Sequence, residues 1–171
     1  MKKRIIYKGF RRPLFWLLYR GVKKCKGEIG MAFRHEFTSS CEYDFRDEQQ
    51  FDWNKLWGIS TNVNIHEESY RFVWRYNPAT DNFEITSYCY IKGKKIISKD
   101  FVKVKANKSL YTTLDYKDGL ITLKANGKKL VEFGGVHEFE YYYICGLYFG
   151  GTNKAPHKMR INLFKFRNNV K

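Results

Sequence analysis

Apolar and polar side chains alternate with a period of two through several stretches of this chain, and that rhythm fits strands rather than helices. Tyr70, Phe72, Trp74 and Tyr76 alternate with Arg71, Val73 and Arg75. Phe83, Ile85, Ser87, Cys89 and Ile91 alternate with Glu84, Thr86, Tyr88 and Tyr90. Leu110, Thr112, Leu114 and Tyr116 alternate with Tyr111, Thr113 and Asp115. Met159, Ile161 and Leu163 alternate with Arg160 and Asn162; the phase then changes at Phe164 and Phe166, which predicts a bulge or the end of pairing. Aromatic residues are 18% of the chain, and flat rings suit a pleated face. Asn126-Gly127 predicts a two-residue hairpin that sets Leu123 opposite Leu130. Lys92-Gly93 is a weaker turn, residues 77–82 are a loop, and Gly134-Gly135 and Gly150-Gly151 are breaks. Strands recurring roughly every 8–14 residues, with no helices between them, predict an all-β antiparallel sandwich. A length of 171 residues suits one such domain.

The charge is uneven. Lys and Arg number 32 against 17 Asp and Glu, a net +15. Residues 1–26 contain no acid, and the first one is Glu28. This predicts a basic N-terminal arm, 1–26, ahead of a single sandwich domain, 27–171. Such an arm concentrates anions, whether nucleic acid, lipid headgroup or acidic glycan. Its candidate polyanion contacts are Lys2, Lys3, Arg4, Arg11, Arg12, Lys23 and Lys24, and the interleaved Tyr7, Phe10, Phe15, Trp16 and Tyr19 could stack on bases or pack on the sandwich. Residues 10–20 fit either a short helix opened by Pro13 or an edge strand. The longest apolar run there, Leu14-Phe15-Trp16-Leu17-Leu18-Tyr19, falls far short of the about 20 residues that span a bilayer. No membrane span and no standard signal peptide are expected, which predicts a cytoplasmic or virion-associated protein.

Few residues announce chemistry. Cys25, Cys41, Cys89 and Cys145 are widely spaced and predict four thiols rather than a metal site. His35, His66, His137 and His157 lack a second His at ligand spacing. No phosphate-cradling glycine loop or nucleophile elbow occurs, so neither cofactor nor metal is expected. Three places stand out. Glu42-Tyr43-Asp44-Phe45-Arg46-Asp47-Glu48 would set Glu42 and Asp44 on one strand face, although the segment lacks the alternation of a buried strand and fits an acidic loop better. If residues 77–82 join two antiparallel strands, Arg75 meets Glu84, Arg71 meets Tyr88, and one sheet face collects Arg71, Arg75, Tyr88 and Tyr90. Arg forks grip carboxylates or hydroxyls, and Tyr offers a flat ring with a polar tip, so this face is the candidate ligand site. The third place is the loop at residues 150–157.

The strand run, the hairpin at Asn126-Gly127 and the stretch Gly150-Gly151-Thr152-Asn153 resemble the concanavalin A-like jelly-roll superfamily of lectins, laminin-G-type modules, glucanases and polysaccharide lyases. The acidic segment resembles the Glu-x-Asp-x-x-Glu pattern of jelly-roll glucanases, but Asp47 stands where the last Glu belongs. Asp52-Trp53-Asn54-Lys55-Leu56-Trp57-Gly58, with residues 69–76 and 148–157, is similar to uncharacterised proteins of gut Bacteroidetes and their phages. Alginate-lyase-like members use Arg, Gln, His and Tyr on the concave sheet; the resemblance implies that role for Arg71, Arg75, Tyr88, Tyr90 and His66.

The sequence therefore predicts a non-catalytic recognition module. It would bind a glycan or an acidic protein surface through Arg71, Arg75, Tyr88, Tyr90 and His66, with nucleic acid a further partner for the arm. The runner-up is a polysaccharide lyase or glycosidase, in which Tyr88 or Tyr90 serves as acid or base, His66 as partner base, and Arg71 or Arg75 neutralises a uronate. A virion structural protein is the third reading.

Overall fold

A computed structural model describes residues 2–13 and 21–166. Residues 14–20, which hold most of the segment that fits either helix or strand, lie outside the described residues. Thirteen strands occur among the described residues, and they form two antiparallel sheets packed face to face. The six-stranded sheet runs β1 (Lys2–Ile6), β13 (Met159–Phe166), β3 (Ile29–Phe37), β9 (Ser109–Lys117), β10 (Leu120–Ala125) and β11 (Lys128–Phe133). The seven-stranded sheet runs β2 (Val22–Lys24), β12 (Tyr141–Cys145), β4 (Asn54–Ser60), β5 (Ser69–Asn77), β6 (Asn82–Ile91) and β7 (Lys94–Ile97), with β8 (Val102–Val104) also paired to β6. The two sheets form a jelly-roll-type sandwich, as the alternation predicts.

The inward residues of both sheets make one core. Trp74, Phe72 and Phe83 are fully buried, and Phe37 stacks on Phe83 and tilts against Trp74 at ring distances of 4.7 and 5.0 Å. The β5–β6 register is the expected one, with Tyr76 opposite Phe83, Trp74 opposite Ile85 and Phe72 opposite Ser87. Asn126 and Gly127 both have positive φ, as a tight hairpin turn between twisted strands requires.

Three expectations need correction. Leu123 pairs with Val131 rather than Leu130, because the β10–β11 ladder shifts between Leu123 and Lys124; Leu123 and Leu130 nonetheless both reach the core. Strand β13 does not break at Phe164: pairing continues to Phe166, and Phe164 points outward under the Arg34 guanidinium, 3.8 Å from its ring. The basic segment is not an arm outside the sandwich in its described parts. Lys2–Ile6 is an edge strand of one sheet and Val22–Lys24 an edge strand of the other. Burial of Ile6 and pairing with β13 and β12 account for this, and charge on an edge strand also discourages pairing with other chains.

Candidate functional site

The outer face of the seven-stranded sheet carries the candidate site. Its ladders set side chains in rows: Ser60, Ser69 and Tyr90; then Gly58, Arg71 and Tyr88; then Lys55, Val73 and Thr86; and last Arg75 beside Glu84. Arg71 is only 4% exposed although it lies on an outer face. Its stem runs beside Gly58, where an added Cβ would lie 2.6 Å from the Arg71 Cα and 2.9 Å from its Cγ. Its guanidinium is flanked by the rings of Tyr88 and Tyr90, 5.1 and 5.6 Å from the centroids. Such contacts favour a cation but replace neither a hydrogen bond nor a counter-ion. Nε and Nη2 of Arg71 have no hydrogen-bond partner, and among the described residues no carboxylate pairs with it.

Around it lies a cleft of about 510 Å³, lined among others by Arg12, Lys55, His66, Arg71, Tyr143 and Tyr148. His66 meets the Tyr90 ring edge-on at 4.9 Å, and the Tyr88 and Tyr90 hydroxyls are 3.5 Å apart. Burial and the neighbouring Tyr90 hydroxyl push Tyr88 up to about 12, so it stays a neutral phenol at physiological pH. Lys55 donates to the Trp53 carbonyl at 2.9 Å and lies 4.8 Å above the Tyr88 ring. Burial, and then the Arg71 charge, bring Lys55 down to about 8. The cleft thus gathers cations and phenol groups around a buried guanidinium. That arrangement is chemically suited to an anion that also offers hydroxyls or an apolar ring face.

Of the sequence candidates, the structure brings Arg71, Tyr88, Tyr90 and His66 together. Arg75 stands apart, four residues or roughly 13 Å along the strand from Arg71. Its Nε and Nη2 hold Glu84 Oε2 at 2.8 and 2.7 Å, and its guanidinium stacks 4.3 Å from the Trp53 ring. Glu84 is 3% exposed and also accepts from Asn77, so Arg75 serves as its counter-ion. Arg11 donates to the carbonyls of Gly151 and Thr152 and fastens the 150–157 loop, while Arg12 lines the cleft and stacks over Tyr148 at 5.3 Å. Lys2, Lys3, Lys23 and Lys24 are exposed on edge strands, Arg4 is half-buried, and Lys24 lies 3.8 Å from Glu140. The acidic segment is a loop: Asp44 pairs with Arg46, and Asp47 accepts from the Gln49 N–H. Lys55 and Gly58 escaped the sequence reading.

All four cysteines are free thiols. Among the described residues no cluster of His, Cys, Asp or Glu could hold a metal ion, and no helix is long and apolar enough to cross a membrane.

No protein-family model and no curated protein matches the chain, so neither comparison supports the expected similarity to Bacteroidetes and phage proteins. Solved structures do match. The family 7 alginate lyase A1-II′ in complex with substrate superposes with a TM-score of 0.56 at 10% identity, over 94% of this chain and 69% of that one. The chain has the concanavalin A-like jelly-roll fold. Alginate lyase AlyC3 matches with a TM-score of 0.53 at 11% identity, over 96% of this chain and 70% of that one. A functionally unknown protein from Saccharomyces cerevisiae matches at 0.51 and 8%, over 97% and 89%. At such identities the likeness extends to the jelly-roll fold alone.

Proposed function

We propose that this jelly roll is a recognition module that binds an acidic glycan in the Arg71 cleft, without turning it over. The observation that carries this reading is Arg71: a residue 4% exposed, two of its guanidinium donors unpartnered, lining an open cleft. Burying an unpaired charge costs several kcal/mol, and a ligand carboxylate would offset that cost. Uronates combine a carboxylate with a ring whose apolar face suits Tyr88 and Tyr90. The alginate lyases whose fold the chain shares act on a glycan of this class, which supports the choice of ligand.

Tyr88 is better suited to binding than to abstracting a proton. A tyrosine that abstracts a proton needs its pKa brought down toward working pH, whereas Tyr88 is pushed up to about 12. A glycan array of uronate-bearing, sulfated and neutral oligosaccharides tests the reading. Wild-type protein should bind uronate-bearing members, and Arg71→Met should lose at least about 2 kcal/mol of that binding, near 30-fold. Equal signals on neutral and acidic members, or unchanged binding by Arg71→Met, would overturn it. Release of unsaturated products from an acidic polysaccharide would establish a lyase instead.

A further inference from the structure

We propose that Lys55 and Arg71 form a two-point clamp on the ionised group of the ligand, and that at alkaline pH Lys55 takes up a proton as the clamp closes. This rests on the reading of the cleft as an anion site. Its first support is backbone geometry. Going back along β4 from Gly58, which faces outward beside Arg71, simple alternation would point Leu56 outward and Lys55 inward. The β4–β5 ladder shifts between Lys55 and Trp57 instead. Leu56 is thereby buried, Trp57 pairs with Phe72 in the core, and Lys55 emerges opposite Val73 on the outer face. A bulge of this kind re-aims one side chain and disrupts the local ladder, so it marks a position where direction matters. The strand is pinned there by a reciprocal backbone pair between Lys55 and Tyr148, at 2.7 and 3.0 Å.

The second support is charge. Lys55 Nζ lies 4.8 Å and the Arg71 guanidinium 5.1 Å from the same Tyr88 ring centroid, so the two cations are no more than about 10 Å apart across one phenol. The groups facing Lys55 are Arg71 from β5, Tyr88 from β6, Lys95 from β7, Asp52 just before β4, and Arg12, His66 and Tyr148 from the cleft wall. Asp52 favours the charged amine, while Arg71 and Lys95 oppose it. Asp52 also accepts from the Thr152 N–H. Burial and repulsion bring free Lys55 to about 8. An anion seated between Lys55 and Arg71 reverses the sign of the local field and restores the proton. The affinity is then full below the free Lys55 value and falls as pH rises from there toward the higher bound value.

The test follows the Lys55 amine by side-chain NMR across pH, alone, with tetramannuronate and with inorganic sulfate. The clamp predicts a midpoint near 8 in the free protein that rises by about one pH unit or more with either probe. It further predicts tetramannuronate affinity about tenfold weaker at pH 9.5 than at pH 7 in wild type, with that pH dependence lost in Lys55→Arg and Lys55→Met. A free midpoint at the ordinary lysine value, or one that neither probe moves while Arg71-dependent tetramannuronate binding persists, overturns the clamp and leaves the glycan reading standing. Sulfate moving the midpoint where tetramannuronate does not bind upholds the clamp and overturns the glycan reading. Binding of neither probe overturns both.

Discussion

Gly58 lies directly across the β4–β5 ladder from Arg71, and the room a side chain would need there is already occupied by the Tyr70 carbonyl and by the Arg71 backbone and stem. Backbone atoms cannot swing aside as a flexible side-chain end can. Gly58→Ala should therefore part the two strands locally, at a cost of about 3 kcal/mol or more, and displace the guanidinium. Denaturant unfolding measures the first effect. A Gly58→Ala protein as stable as wild type would show that Arg71 has freedom the packing denies it.

Arg71 itself should be a burden on the unbound fold. It is buried, has no counter-ion among the described residues and leaves two donors unpartnered. Arg71→Met keeps most of the stem's volume and removes the charge, so it should raise stability by about 1–2 kcal/mol while abolishing ligand binding. Opposite movement of melting temperature and affinity marks a site held at the expense of stability. Loss of stability in Arg71→Met would mean that the guanidinium supports the fold instead.

Arg75 should behave in the opposite way. Arg75→Met strands Glu84, whose side chain is 4% exposed, and should cost about 3–5 kcal/mol. The double variant Arg75→Met/Glu84→Met removes both charges and should recover most of that loss. Ligand affinity of the double variant should stay at the wild-type level. A double-mutant cycle in urea reads the coupling.

His35 supplies a pH prediction. It sits 1% exposed in the core, its Nε2 2.9 Å from Thr112 Oγ1, and Trp57 Nε1 donates to that same oxygen at 2.8 Å; the His35 Nδ1 has no partner. Burial holds it at about 3 against an unfolded value of 6.5. Between those values the unfolded chain binds the extra proton, so stability falls as pH drops from 6.5 toward 3, by roughly 4 kcal/mol from this group. His35→Leu should flatten melting temperature against pH across that window. A slope unchanged by the substitution would assign the acid sensitivity to other groups.

What the sequence disclosed and what it hid follow from the range of each interaction. The β5–β6 pairing was legible because both strands alternate cleanly and a short loop sets their register, which put Arg71 opposite Tyr88 and Arg75 opposite Glu84. That pairing did not reveal that Glu84 is buried and uses up Arg75, since neither its burial nor the packing of Trp53 and Phe51 against the Arg75 guanidinium from another element has a local signal. Lys55 was hidden because one extra residue in β4 inverts the parity by which faces are assigned. Gly58 was hidden because close approach to Arg71 is a tertiary fact with no local signal. Strand β1 was masked by Lys2 and Arg4, which share the face of Ile6 and break the apolar stripe. One signal was present and passed over: Asp118-Gly119, both with positive φ, turns β9 into β10.

On the proposed function, the buried, unpaired Arg71 is the anchor for an acidic glycan. Isothermal titration of tetramannuronate and of neutral mannotetraose into wild-type and Arg71→Met protein at pH 7 tests it most directly. Wild type should bind tetramannuronate saturably and the neutral sugar not detectably, and a folded, more stable Arg71→Met protein should lose at least about 30-fold in affinity. Equal affinity of the two proteins for tetramannuronate, or equal affinity of wild type for the charged and neutral sugars, would contradict it.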